Sequence, residues 1–237
     1  MSGKNTPIIV WFRQDLRLKD NPALIAAHET GRPIIPLYIL DDKNSGEWKM
    51  GGASRWWLHQ SLKSLGKSLN DSLVFDNGNP KDILKDIIKE TNADSVYWNR
   101  CYEPWRIKRD KEIKQSLSDD GFDVKSFNGA LLFEPMDALK EDGTPYKVFT
   151  PFYKRGCLER NPEPRDVQPA PKKLNLFEYK RKALDDLALM PNTNWYEQME
   201  NEWKPGEKGA QDTLKHFLEN GLKGYKEGRN FPNQDNI

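Results

Sequence analysis

Strands and helices alternate over the first 127 residues, and this alternation constrains the fold more than any other feature of the chain. Ile8, Ile9, Val10, Trp11 and Phe12 form an unbroken apolar run, which suits a strand buried on both faces. Asp20 or Asn21 caps the helix that follows, Pro22 takes a first-turn position, and Gly31 ends it after Ala23, Leu24, Ala26 and Ala27. Residues 33–40 (PIIPLYIL) read as a second buried strand. From Gly52 onward, Trp57 or Leu58, Leu62, Leu65 and Leu69 recur at helical spacing, with a core role expected for Trp57. Residues 72–75 are expected as a third strand, 93–98 as a fourth and 123–127 as a fifth. Between them lie a helix over 80–91, with Ile83, Leu84, Ile87 and Ile88 on one face, and a charged helix over 104–117.

Each parallel step needs a crossover long enough to span the sheet, and such crossovers are right-handed. The expected fold class is therefore α/β, a doubly wound five-stranded parallel sheet with its first strand near the centre. Sheets of this class bind ligands beyond the carboxyl ends of their strands. Here those ends are residues 13–17, 41–50, 99–103 and 128–132.

Composition narrows the function classes. The 37 basic and 36 acidic side chains nearly cancel, so no global positive field draws the chain to nucleic acid, and any DNA contact needs a local patch. Two cysteines, Cys101 and Cys157, are too few for a disulfide framework, and His28, His59 and His216 lack metal-ligand spacing. No apolar run approaches the roughly 18 residues of a membrane span, so a reducing, cytoplasmic setting without membrane contact is expected. The turn after the first strand, Arg13-Gln14-Asp15, has no glycine, which excludes a Rossmann fingerprint, and no Walker loop or nucleophile elbow occurs elsewhere.

Several groups carry candidate chemistry. Arg13, Asp15, Arg17 and Asp20 alternate in charge beyond the first strand, and Asp15 either pairs with an arginine to brace the turn or meets a ligand. Residues 99–106 place a thiol, two aromatics and cations at the crevice, or simply cap the next helix. Lys172, Lys173, Lys180, Arg181 and Lys182, interleaved with Phe177 and Tyr179, form either a solvated basic face or a phosphate-backbone contact. Pro162, Pro164, Pro169 and Pro171 interrupt regular structure. Helical spacing resumes near Trp203, through Ala210, Leu214, Phe217, Leu218, Gly221, Leu222 and Tyr225.

Three segments resemble one known family. VWFRQDLRLKDNPAL (10–24), YKVFTPFYK (146–154) and GEKGAQDTLKHFLENGLKGYKEGRNFP (206–232) are similar, in that order, to motifs of the photolyase and cryptochrome family. The resemblance implies an antenna-binding α/β domain over 1–130, a connector over 131–202, and the start of a helical FAD-binding domain over 203–237. Roughly the first half of a family member is then present, with Tyr225 opening the FAD site and no catalytic residue in this chain. The implied function is a deoxyribodipyrimidine photolyase, a monomer whose light-excited flavin repairs pyrimidine dimers in DNA, this part being inactive alone. The alternatives are a cryptochrome-type blue-light photoreceptor and a stand-alone antenna-fold binding module.

An antenna chromophore would occupy the strand-end crevice. Arg13, Leu16, Arg17, Met50, Arg55 and Cys101 are candidate wall residues, with Trp48 and Trp105 as stacking partners. Folate-binding members are commonly smaller and more polar near Trp48 and Trp105, which favours a deazaflavin or flavin antenna over folate. A crevice simply filled by tryptophan is the alternative.

Overall fold

The computed structural model describes residues 5–159, 164–231 and 233; Pro162, Pro232 and the chain ends at Met1 and Ile237 lie outside them. β1 (Ile8–Phe12), β2 (Ile34–Leu40), β3 (Val74–Asn77), β4 (Ser95–Asn99) and β5 (Asp123–Phe127) form one parallel sheet in the order β3-β2-β1-β4-β5. β1 is central, pairing Ile8 with Ile34 on one side and with Ser95 on the other. The crossovers are α1 (Pro22–Glu29), α2 (Gly52–Ser68), α3 (Pro80–Thr91) and α4 (Pro104–Asp119). As expected, this is a doubly wound α/β fold.

Alternation along β1 assigns the two cores. Ile8, Val10 and Phe12 pack with Leu24 of α1 and with Leu58, Leu62 and Leu65 of α2. Ile9 and Trp11 pack with Ile83, Leu84 and Ile87 of α3 and with Ile113 and Leu117 of α4. The five residues of β1 are at most 1% exposed, which explains their continuous apolar run.

Two expectations are corrected. β3 begins at Val74 and not at Ser72, because Asn70 and Asp71 both adopt left-handed backbone conformations (φ 52° and 58°) and lengthen the turn after α2. The side chain buried on α2 is Trp56, fully enclosed, whereas Trp57 is 39% exposed. The cause is a second contact surface on α2. Beyond the sheet-facing Leu58 and Leu62, α2 packs against residues 185–203, where Trp56 stacks on Tyr196 (centroids 6.3 Å) and His59 meets Asp185. Position 57 turns away from the sheet and meets Trp203 of that segment edge-on (centroids 5.9 Å), which leaves its indole partly exposed.

After β5 the chain forms one helical turn, α5 (Phe149–Pro151), continued as a π-type helix over Phe152–Glu159. Residues 174–189 then return to the sheet. Leu174, Leu176, Leu187 and Leu189 join the α1/α2 face, and Phe177 and Tyr179 the α3/α4 face. α6 (Glu197–Glu202) leads to α7 (Glu207–His216), whose helical path continues to α8 (Tyr225–Gly228).

Candidate functional site

The carboxyl ends of β1 and β2 open into a cleft of about 970 Å³, within the size range of small-molecule sites. Trp11, Arg13, Tyr38 and Asp41 lie at the strand ends, Ala53, Ser54 and Trp57 of α2 form one wall, and Trp105, Arg106 and Arg109 of α4 the other. Ala210, Gln211 and Leu214 of α7 line its outer side. The small side chains at 53 and 54 leave the space between the two tryptophan-bearing walls.

Its base is a stack of guanidinium and indole groups. The Arg13 guanidinium lies 4.9 Å from the Trp11 ring, that of Arg109 lies 4.9 Å from Trp11 and 5.1 Å from Trp105, and that of Arg106 lies 4.8 Å from Trp105. Buried cations need counter-charges. Arg13 is paired with Asp110, and Arg109 bridges Asp110 (2.7 Å) and Asp41 (2.9 Å). Nε and Nη2 of Arg13 and Nε1 of Trp11 are buried without hydrogen-bond partners. The cleft therefore offers aromatic faces above a donor-rich, charge-balanced base. Burial also pushes the Tyr38 hydroxyl well above its usual range, so it remains protonated.

Behind the cleft, polar side chains hold the β1 turn. Asp15 accepts from the Arg13 backbone N–H (2.9 Å) and from Asn99 Nδ2 (2.5 Å), while Asn99 Oδ1 accepts from the Ala23 N–H (3.1 Å). Asn21 caps α1 by accepting from the Leu24 N–H (3.1 Å) and donates to the Arg17 carbonyl (3.0 Å). Of the two readings open for Asp15, the structure shows it bracing the turn, but through the Arg13 backbone amide and two asparagines and not through an arginine side chain. Arg17 donates to the carbonyls of Lys19 (3.1 Å), Asp20 (2.8 Å) and Gly129 (2.6 Å), dividing the cleft from a smaller recess of about 460 Å³.

Of the candidate wall residues, Arg13, Leu16, Arg17, Met50 and Trp105 line the cleft. Arg55 stands behind Met50, donating to its carbonyl (3.1 Å) and pairing with Asp42. Cys101 lines the smaller recess, where burial pushes its thiol up against the opposing pull of Arg13 and Arg106. Trp48, on the turn Gly46–Trp48, is 74% exposed and lies outside the cleft lining. Tyr225 packs edge-on against Phe217 (5.6 Å) with Arg229 over its ring.

Sequence reading missed Trp57 and Arg109 as cleft residues, whereas Arg106 belongs to the run 99–106 that it placed at the crevice. One signal was present for Arg109: it lies one turn before Ile113 on the apolar stripe of α4, where an arginine is buried only with a partner.

Residues 8–172 match the family described as DNA photolyase. The chain belongs to that family. It is 46% identical to a deoxyribodipyrimidine photo-lyase of Agrobacterium fabrum, over 98% of this chain and 49% of that protein. It is 33% identical to Cryptochrome-1 of Arabidopsis thaliana, over 93% of this chain and 33% of that protein. The structure superposes on a bacterial class III photolyase from Agrobacterium tumefaciens with TM-score 0.91 and 44% identity, covering 100% of this chain and 49% of that one. The chain spans about half the length of this photo-lyase relative.

Within this photolyase-family chain, two of the five cations of the basic cluster are paired internally. Arg181 and Lys182 pair with Asp76 (2.9 and 3.3 Å), and Tyr179 donates to Glu90. Lys172, Lys173 and Lys180 are exposed. No helix among the described residues is long and apolar enough to cross a membrane.

Proposed function

We propose that this chain supplies the amino-terminal half of a deoxyribodipyrimidine photolyase, a monomeric cytoplasmic enzyme that repairs pyrimidine dimers in DNA by light. The observation carrying this reading is 46% identity to a protein of that name along nearly the whole chain. FAD, when bound, supplies the light-excited electron donor, and this chain contributes Tyr225 at the start of its site. The division proposed is an antenna domain over 1–130, a connector over 131–202 and a helical FAD-binding part from 203.

The role of these residues lies with the antenna. The cleft suits a flat chromophore: its volume is sufficient, Trp57 and Trp105 offer ring surfaces, and unpartnered donors lie at its base. Arg13, Leu16, Arg17, Met50 and Trp105 would hold it directly. Arg55 would support Met50 and Cys101 would bound the adjoining recess, whereas Trp48, exposed outside the lining, is not the stacking partner expected of it. A deazaflavin or flavin fits these flat walls better than folate.

A photoreceptor role is the second reading, favoured by the 33% identity to a plant cryptochrome. The gene product containing this chain is expected to restore dimer-containing oligonucleotides under blue light and not in the dark. Flavin photochemistry without repair would favour the photoreceptor.

A further inference from the structure

α7 has little apolar attachment. Only Gly209 is buried along its ten residues, and helices of that length are marginal in isolation. What ties it down is Glu207 in its first turn. One carboxylate oxygen accepts from the Leu18 N–H (2.8 Å) and the other from the Lys19 N–H (2.9 Å), so both anchor the loop after β1. Charge-assisted hydrogen bonds of this kind are the strong class. Gly206, immediately before, has φ +102°, and a Cβ there would lie 2.3 Å from Ser64 Oγ on α2. The helix is thus seated against the β1 loop at one residue and against α2 at the preceding one.

We propose that Glu207 is a positioning residue: its carboxylate latches α7 beside the strand-end cleft and fixes where the helical path towards Tyr225 starts. Leu214 and Ala210, beyond the latch, line the cleft on its α7 side, and the same helical path runs on to Tyr225. Release of Glu207 therefore loosens that side of the cleft and the downstream segment together. The consequence for ligand retention rests on the antenna reading; the latch does not.

Hydrogen exchange of the chain and its E207A and E207Q variants tests the latch without a ligand. In E207A, exchange at Leu18, Lys19 and the α7 amides rises tenfold or more while Val10 and Val96 in the central strands are unchanged. E207Q keeps one acceptor and falls between. Unchanged α7 exchange in E207A overturns the proposal, and so does equal acceleration in the strands, which marks general destabilisation. In a second arm FMN is the probe, and its dissociation is several-fold faster from E207A than from the wild type. Equal dissociation overturns the retention role. Absence of FMN binding to the wild type counts against the antenna reading, and hydrogen exchange still decides the latch.

Discussion

Asn99 joins three elements through one buried amide. It donates to Asp15 and Asn21 and accepts from the first turn of α1, so replacing it leaves several buried groups unsatisfied together. Asn99→Ala is expected to cost about 1–3 kcal/mol in denaturant unfolding. Gly129 reinforces this position, since a Cβ there would lie 2.7 Å from Asn99 Cγ. The two adjacent tryptophans provide a sharper contrast. Trp56→Ala removes a fully buried indole and is expected to cost about 3–5 kcal/mol. Trp57→Ala, on the cleft wall, is expected to change stability by under about 1 kcal/mol while weakening chromophore binding. Equal losses at both positions would contradict the burial assignment. Helical spacing alone did not separate these neighbours, because the sheet-facing stripe of α2 gives no sign of the second surface at Tyr196.

Among elements, the sheet and its four crossover helices were legible because each carries its own periodicity. The segment from 164 to 189 was not. Its prolines marked irregular backbone correctly, but its return to the sheet depends on single leucines spaced without period. Asp20 helps to pin its beginning, pairing with Arg165 and accepting from the Gln168 N–H. Burial pushes the Asp20 carboxyl up, but the Arg165 and Gln168 hydrogen bonds and the Arg165 and Arg17 charges outweigh it and hold it below its ordinary range. A carboxyl depressed in the folded state contributes stability above its unfolded pKa and loses it as pH falls through the folded one. Limited proteolysis with an acid-active protease should therefore cut residues 164–168 faster as pH drops below about 4. Asp20→Asn should abolish most of that pH dependence.

At the scale of the whole molecule, the strand-end crevice was predictable from topology, whereas the part α7 takes in lining it was not. Local sequence carries no sign that α7, nearly 190 residues after the β1 loop, lines the same cleft as that loop. Family motifs led to the proposed function, and the cleft is the place proposed for a chromophore. If this cleft serves light-driven repair as proposed, the wavelength dependence of dimer repair reports it directly. The gene product containing this chain is compared with its Ser54→Trp variant, which fills the cleft from an exposed position on α2. The wild type is predicted to repair dimers with an absorption band additional to the flavin's, and the variant to lose that band while keeping flavin-driven repair. Identical action spectra, or no light-dependent repair by the wild type, would contradict it.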